Sequence, residues 1–206
     1  GGGPATWVVY NGRVLGCLMF DDAIRPEAKE MVDQLRQAKI SRTVLLTGDR
    51  EFSARKIQEQ AGIDEVYYQL LPEEKLAHVK ELRQEAHVLA VGDGINDALA
   101  LAEADVGIAM GAMGSDIAIQ SADIALMNND LNNIPFVITL AKSTKSIMYQ
   151  NIGIAFSVSL VMMILAAVGV IPALAGAFLH NIGAFVILIN SSRILRRDGA
   201  VEDAEE

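Results

Sequence analysis

The sequence predicts an α/β fold, a doubly wound parallel sheet, followed by a two-helix transmembrane hairpin. Three observations carry this prediction. Between Arg25 and Leu126, short apolar runs alternate with amphipathic runs of helical period, the βαβ order of a parallel sheet with helices on both faces. Two of the apolar runs, "LLTGD" and "LAVGD", end in Gly-Asp, where such sheets bind ligands. From Ser146 to Ser192 there is no Asp, Glu, Lys or Arg, in a chain of 206 residues with 26 acidic and 17 basic side chains.

The elements follow in order. Residues 6–10 and 14–20 flank Asn11-Gly12, the strongest two-residue hairpin signal, so the chain opens with an antiparallel pair. In "RPEAKEMVDQLRQA", Pro26 marks a helix start and Met31, Val32, Leu35 and Ala38 share one face. A buried strand "TVLLTGD" comes next, then a helix over about 52–61 and a strand near 65–68. A helix from Pro72 to about Glu85 leads to the strand "HVLAVGD", and short strands are expected at 106–109 and 123–126.

Two apolar runs close the chain, about 147–170 and 173–194, separated by Pro172. Each is long enough for the roughly 20 residues that cross a hydrocarbon core. Lys142 and Lys145 precede the first, and Arg193, Arg196 and Arg197 follow the second, so the positive-inside rule puts both ends of the hairpin in the cytoplasm. The net charge of −9 argues against nucleic acid as a partner, and the acidic residues 198–206 read as a solvated tail. Cys17 is the only cysteine, which excludes an intrachain disulfide, and is expected to be a small packing residue. With "GGGPATW" at its start and no initiator methionine, the chain reads as a piece of a longer protein.

The chemistry concentrates in "LLTGDR" (45–50) and "VGDGINDALAL" (91–101). Gly48, Gly92 and Gly94 permit tight turns and close backbone approach, while Asp93 and Asp97 place two carboxylates at a strand end and the following helix start. Two hard oxygen ligands beside a phosphate-sized space suit Mg²⁺, which takes one or two carboxylates and keeps several waters. Phosphoryl chemistry is the inference. A single Gly-Asp after a strand is more often a turn or a helix cap, so the combination carries the weight.

"TGD", Lys75 of "LPEEK", and "GDGIND" followed by "AEADVGIAMG" resemble the haloacid-dehalogenase-like phosphorylation domain of P-type cation-transporting ATPases. The resemblance continues through "SDIAIQSADIALMNNDL" and both apolar runs, and is closest to the heavy-metal branch. It implies that Thr47 and Lys75 hold the phosphoryl group, with Gly48 beside them in the catalytic set, that Asp93 and Asp97 serve Mg²⁺, that Asn96 orients the site and that Asp49 ties down its loop. ATP would be the phosphoryl donor, bound mostly upstream. Each role fits phosphoryl transfer, in which positioning and electrostatic stabilisation supply most of the catalysis. Leu99 stands where these enzymes usually have proline.

The family forms an aspartyl-phosphate in an Asp-Lys-Thr-Gly-Thr motif, and that motif is absent from this sequence. The resemblance therefore divides the chain into the end of a nucleotide-binding domain (1–21), a phosphorylation domain without its nucleophile segment (22–135), a membrane hairpin with its lead-in helix (136–197) and the tail. Asp22 to Pro26 would be the hinge between the first two. The expectation is the C-terminal part of an ATP-driven exporter in a bacterial-type plasma membrane, inactive without the remaining domains. A truncated, non-catalytic membrane subunit and a membrane-tethered phosphatase are the alternatives.

A histidine inside an apolar span is a functional candidate by default. At about 100° per residue, His180 shares a side with Gly176, Gly183, Ile187 and Ser191, opposite Phe178 and Phe185. By resemblance it falls where zinc and cadmium exporters carry aspartate and cobalt-linked members carry His-Glu, whereas this chain has His180-Asn181. The lysine of the preceding span in those exporters is replaced by Ser159. Imidazole suits borderline first-row ions, so the expected cargo is divalent, with Co²⁺, Zn²⁺, Cd²⁺, Mn²⁺ and Fe²⁺ left open.

Overall fold

A computed structural model describes residues 5–19, 23–93, 96–111 and 116–195. The chain divides into two compact units, Gly1–Pro135 and Phe136–Glu206.

The first unit opens with β1 (Ala5–Tyr10) and β2 (Arg13–Met19), an antiparallel hairpin whose turn places Asn11 and Gly12 at φ 46° and 74°. Both positive values suit the Asn-Gly pair. The hairpin exposes apolar side chains along its length, Trp7 to 67% and Leu15 to 67%. Cys17 is exposed with them, not packed as its residue type suggests, because no described element covers either face of the two strands.

Helix α1 (Ala28–Gln37) buries Val32, and α2 (Glu51–Ala61) buries Ala54 and Ala61 before Gly62 ends it at φ 74°. Between them β3 (Val44–Leu46) pairs in parallel with β4 (Glu65–Tyr67). Helix α3 (Pro72–Glu85) starts at a proline, whose missing N–H costs nothing in a first turn, and Glu74 Oε2 accepts the Leu71 N–H at 2.7 Å. Three parallel strands complete the unit: β5 (Leu89–Gly92), β6 (Val106–Met110) and β7 (Ile124–Leu126), in the order β5-β6-β7, with α4 (Ala98–Glu103) and α5 (Asp116–Ser121) as crossovers. Leu101 of α4 and Ile108 and Ala109 of β6 are buried at its centre. Burying Leu101 or Ile108 contributes about 1.5–3 kcal/mol relative to leaving it exposed.

The sequence predicts one parallel sheet, and the structure has two parallel pieces, β3-β4 and β5-β6-β7. They are tied at both ends. Ahead of β3, Arg42 donates to both carboxylate oxygens of Glu65 (2.7 and 2.7 Å) and to Glu85 at the end of α3 (2.9 Å). At the opposite ends of the strands, Lys75 of α3 meets Asp97 just before α4. The strands of both pieces therefore point the same way. No described strand pairs with the second edge of β3 or of β5, and Leu89 and Val91 of β5 are 37% and 40% exposed beside the buried β6. Apolar β-branched and leucine side chains this open mark a strand lacking a neighbour.

Two further ties hold the strand starts. Asp64 accepts from the Thr43 hydroxyl (2.7 Å), the Thr43 N–H (2.8 Å) and Arg36 (2.9 Å), which together hold its carboxyl below the usual range. Asp105 is lowered by the Val88 N–H and by Arg83. Close packing of α4 on β6 depends on Gly107, where a Cβ would lie 2.6 Å from the Leu101 carbonyl oxygen. That neighbour is backbone and cannot swing aside. Gly107→Ala is expected to destabilise the unit by about 1–3 kcal/mol, read as a lowered melting temperature.

The remaining helices are α6 (Asn133–Ala167) and α7 (Ala173–Ser191). Helix α6 is one continuous 35-residue helix that contains the expected lead-in helix and most of the first apolar run, ending at Ala167 rather than near 170. It is long and apolar enough to cross a membrane, and the described apolar stretch in α7 is Ile182–Ser191. Side-chain contacts between Asn151 and Ser191 and between Asn151 and Asn190 show that the two helices run side by side.

Candidate active site

Three loops at the carboxyl ends of the strands build the site. After β3 the chain runs into Thr47, Gly48 and Asp49. The Thr47 hydroxyl donates to Asp49 Oδ2 at 2.8 Å and accepts the Asp49 N–H at 3.1 Å, closing a small polar ring. Such a ring fixes the hydroxyl rotor and the carboxylate together.

The loop after β4 lies directly against it. Thr47 N–H donates to the Tyr67 carbonyl at 3.0 Å, Gln69 N–H to Asp49 O at 2.9 Å and Leu70 N–H to Thr47 O at 3.0 Å. Gln69 takes φ 56° to make this turn, and a Cβ on Gly48 would stand 3.3 Å from the Leu70 carbonyl oxygen. The sequence reading did not single out Gln69, because a positive φ at a residue other than Gly or Asn leaves no compositional trace. This loop starts α3, where Lys75 N–H bonds Leu71 O at 3.0 Å.

From α3 the Lys75 ammonium reaches Asp97 Oδ1 at 2.7 Å, with the side chains 16% and 24% exposed. Asp97 sits at the N-cap of α4. Its other oxygen lies toward β5, where a Cβ on Gly92 would come within 2.7 Å of Oδ2. Gly92 is thus required by space: any side chain there would displace the carboxylate. The Asn96 N–H donates to Asp93 Oδ1 at 3.2 Å, so Asp93 and Asn96 share one turn between β5 and α4.

The structure therefore joins Thr47, Gly48 and Asp49 to the loop that leads into α3, and joins Lys75 of α3 to Asp97. Gly94 of "GDGIND" lies outside the described residues, as do Asp22 of the expected hinge, Arg196, Arg197 and the tail. Arg25, at the other side of that hinge, donates to the Asn129 carbonyl just ahead of α6. His180 and Asn181 fall within α7, but their side chains lie outside the described residues. Leu99 is in the first turn of α4 and 55% exposed, so the position usually held by proline accepts a side chain without crowding.

Chemically, the Lys75 ammonium and the Asp93 and Asp97 carboxylates are of the types that phosphoryl transfer can use, a cation for phosphoryl oxygens and hard oxygen ligands for a divalent cation; the Thr47 hydroxyl joins them only on turning its hydrogen away from Asp49. The two carboxylates, as hard oxygen donors, fit Mg²⁺. Among the described residues there is no group of three or more His, Cys, Asp or Glu side chains placed to hold a metal ion.

The sequence profile of the haloacid dehalogenase-like hydrolases matches residues 3–105, which include the whole of this site. The chain belongs to that family. Within it, the resemblance to heavy-metal P-type ATPases is borne out over nearly the full length. The chain is 40% identical over 190 residues to the manganese-exporting P-type ATPase of Mycobacterium tuberculosis, and equally to the zinc-exporting P-type ATPase of Mycobacterium marinum. Each match takes in 92% of this chain and 26% of the relative, so the haloacid dehalogenase-like chain spans about a quarter of the length of these curated relatives. Among solved structures, a zinc-transporting PIB-type ATPase in the E2·Pi state superposes with a TM-score of 0.81 at 34% identity, over 93% of this chain and 31% of that one.

Proposed function

We propose that this chain is part of an ATP-driven exporter of a divalent heavy-metal ion that works through an aspartyl-phosphate formed on a residue upstream of Gly1. The observation that carries the reading is the Lys75–Asp97 ion pair, held against the Thr47 loop by the turn at Gln69–Leu71. In this reading Lys75 and Thr47 hold phosphoryl oxygens, the Thr47 hydroxyl turning its hydrogen from Asp49 to the phosphoryl group when that is bound, while Asp49 ties down the loop and Asn96 steadies Asp93. Asp93 and Asp97 hold Mg²⁺, which when bound neutralises charge on the transferring group.

The open edges of β3 and β5 support an upstream nucleophile. A further parallel strand between them would cover Leu89 and Val91, and its carboxyl end would emerge between the Thr47 and Asp93 loops. The exposed β1-β2 hairpin supports residues 1–21 as the edge of a nucleotide-binding domain that continues upstream. Residues 22–135 would form the phosphorylation domain, and α6 and α7 a membrane hairpin with spans near 147–170 and 173–194. Lys142, Lys145 and Arg193 at its flanks support a cytoplasmic side for both of its ends.

His180 and Asn181 lie on the ion path in this reading, with Mn²⁺ and Zn²⁺ the leading ions because the M. tuberculosis and M. marinum relatives export them. The test is the complete reading frame expressed in membrane vesicles. Mn²⁺ or Zn²⁺ should stimulate formation of an acid-stable phosphoenzyme from ATP. Metal-dependent ATP hydrolysis by the 206-residue chain alone would count against an upstream nucleophile. His180→Ala is expected to lower metal uptake into inverted vesicles or to reorder the preferred ions, with unchanged protein level; identical uptake of every divalent ion would remove His180 from the path.

A further inference from the structure

Asn151 Nδ2 donates to Ser191 Oγ at 2.9 Å, and Asn190 Nδ2 donates to Asn151 Oδ1 at 2.8 Å. All three side chains are partly buried between α6 and α7. Around them Arg193 donates to Asn190 Oδ1 at 3.1 Å, and Gln150 Oε1 accepts longer bonds of 3.4 Å from Asn190 and Arg193. The second contact between the helices is apolar. A Cβ at Gly183 would lie 3.2 Å from Val158 Cγ1 and 3.8 Å from Val158 Cβ.

These contacts report one register. Val158 follows Asn151 by the same seven residues that separate Gly183 from Asn190. Seven residues are about two helical turns, so each pair lies on one stripe of its helix. The apolar part of that stripe cannot choose the register by itself, since lipid tails are as apolar as valine or leucine. Amide and hydroxyl groups can, because a slip of one residue rotates α7 by about 100° and moves it about 1.5 Å, leaving them unpaired in an apolar medium.

We propose that Asn151, Asn190 and Ser191 are positioning residues, an interhelical clasp that fixes the depth and rotation of α7 and so holds the His180–Asn181 segment, about 15 Å along the helix, at its place on the ion path. The role in ion handling rests on the reading of His180 given above; the clasp itself does not.

The test has two arms, both in the intact protein in membranes. In the first, Val158→Cys and Gly183→Cys are combined; a Cβ separation near 3.8 Å suits a disulfide, and the linked peptide is quantified by mass spectrometry. Adding Asn151→Leu and Asn190→Leu should cut the linking rate about threefold or more, and an unchanged rate overturns the clasp. In the second, each leucine variant should raise the half-saturating Mn²⁺ or Zn²⁺ concentration about 3- to 20-fold with a smaller change in maximal turnover, the two losses combining non-additively. The exchange Asn151→Ser with Ser191→Asn, which keeps an amide-to-hydroxyl bond, should restore the metal dependence. Lost linking with unaltered metal dependence, in a protein that His180→Ala impairs, overturns the positioning role. An inert His180→Ala instead strikes the ion-path reading, and the linking rate alone then decides the clasp.

Discussion

Asp93→Asn in the intact protein is expected to lower metal-stimulated ATP turnover by at least about 10²–10³-fold, the loss that follows removal of one preorganised electrostatic group. The side chain stands at the end of β5, in a turn closed by the Asn96 N–H. Asparagine keeps the size and an acceptor oxygen for that N–H, so the fold should survive. What disappears is the negative charge that a hard divalent cation requires. The check is paired: circular dichroism and melting temperature unchanged, and phosphoenzyme formation from ATP lost. Turnover within threefold of the parent would remove Asp93 from the cation site.

Lys75→Gln is the second large effect, and it acts on both stability and activity. The ammonium lies 2.7 Å from Asp97 Oδ1, and neither side chain is more than a quarter exposed. Breaking a fully buried pair costs about 3–5 kcal/mol because an uncompensated charge remains; this pair is partly open to water, so about 1–3 kcal/mol is expected. The double variant Lys75→Gln with Asp97→Asn should recover most of that stability, since no lone charge is left. It should not recover activity. Thermal unfolding and phosphoenzyme assays on the two variants separate the roles: recovery of both properties would make the pair structural only.

Much of the candidate site was legible in the sequence because its residues sit at fixed offsets from strand ends. "TGD" follows β3 and "GD" closes β5, and the alternation of period fixes where those ends fall. Element boundaries moved little: α3 occupies the expected Pro72–Glu85, while α1 begins at Ala28, two residues after Pro26. Proline there sets the entry turn, and the hydrogen-bonded ladder starts beyond it. Cys17 was misjudged for a tertiary reason. Residue type predicts average burial, but a hairpin that no described element covers exposes even its cysteine.

By itself, then, the sequence determined the order of strands and helices, the Gly-Asp loops and the uncharged stretch 146–192, since these depend on local period, turn chemistry and composition. The tertiary structure alone decided three things. It set Lys75 on Asp97 across 22 residues of chain. It split the sheet between β3 and β5, leaving Leu89 and Val91 open, because a strand's second neighbour is a matter of what else is present in space. And it matched Asn151 to Asn190 and Ser191, about 40 residues apart, because the register of two packed helices follows from groups that must find each other in an apolar medium and leaves no mark on either helix alone.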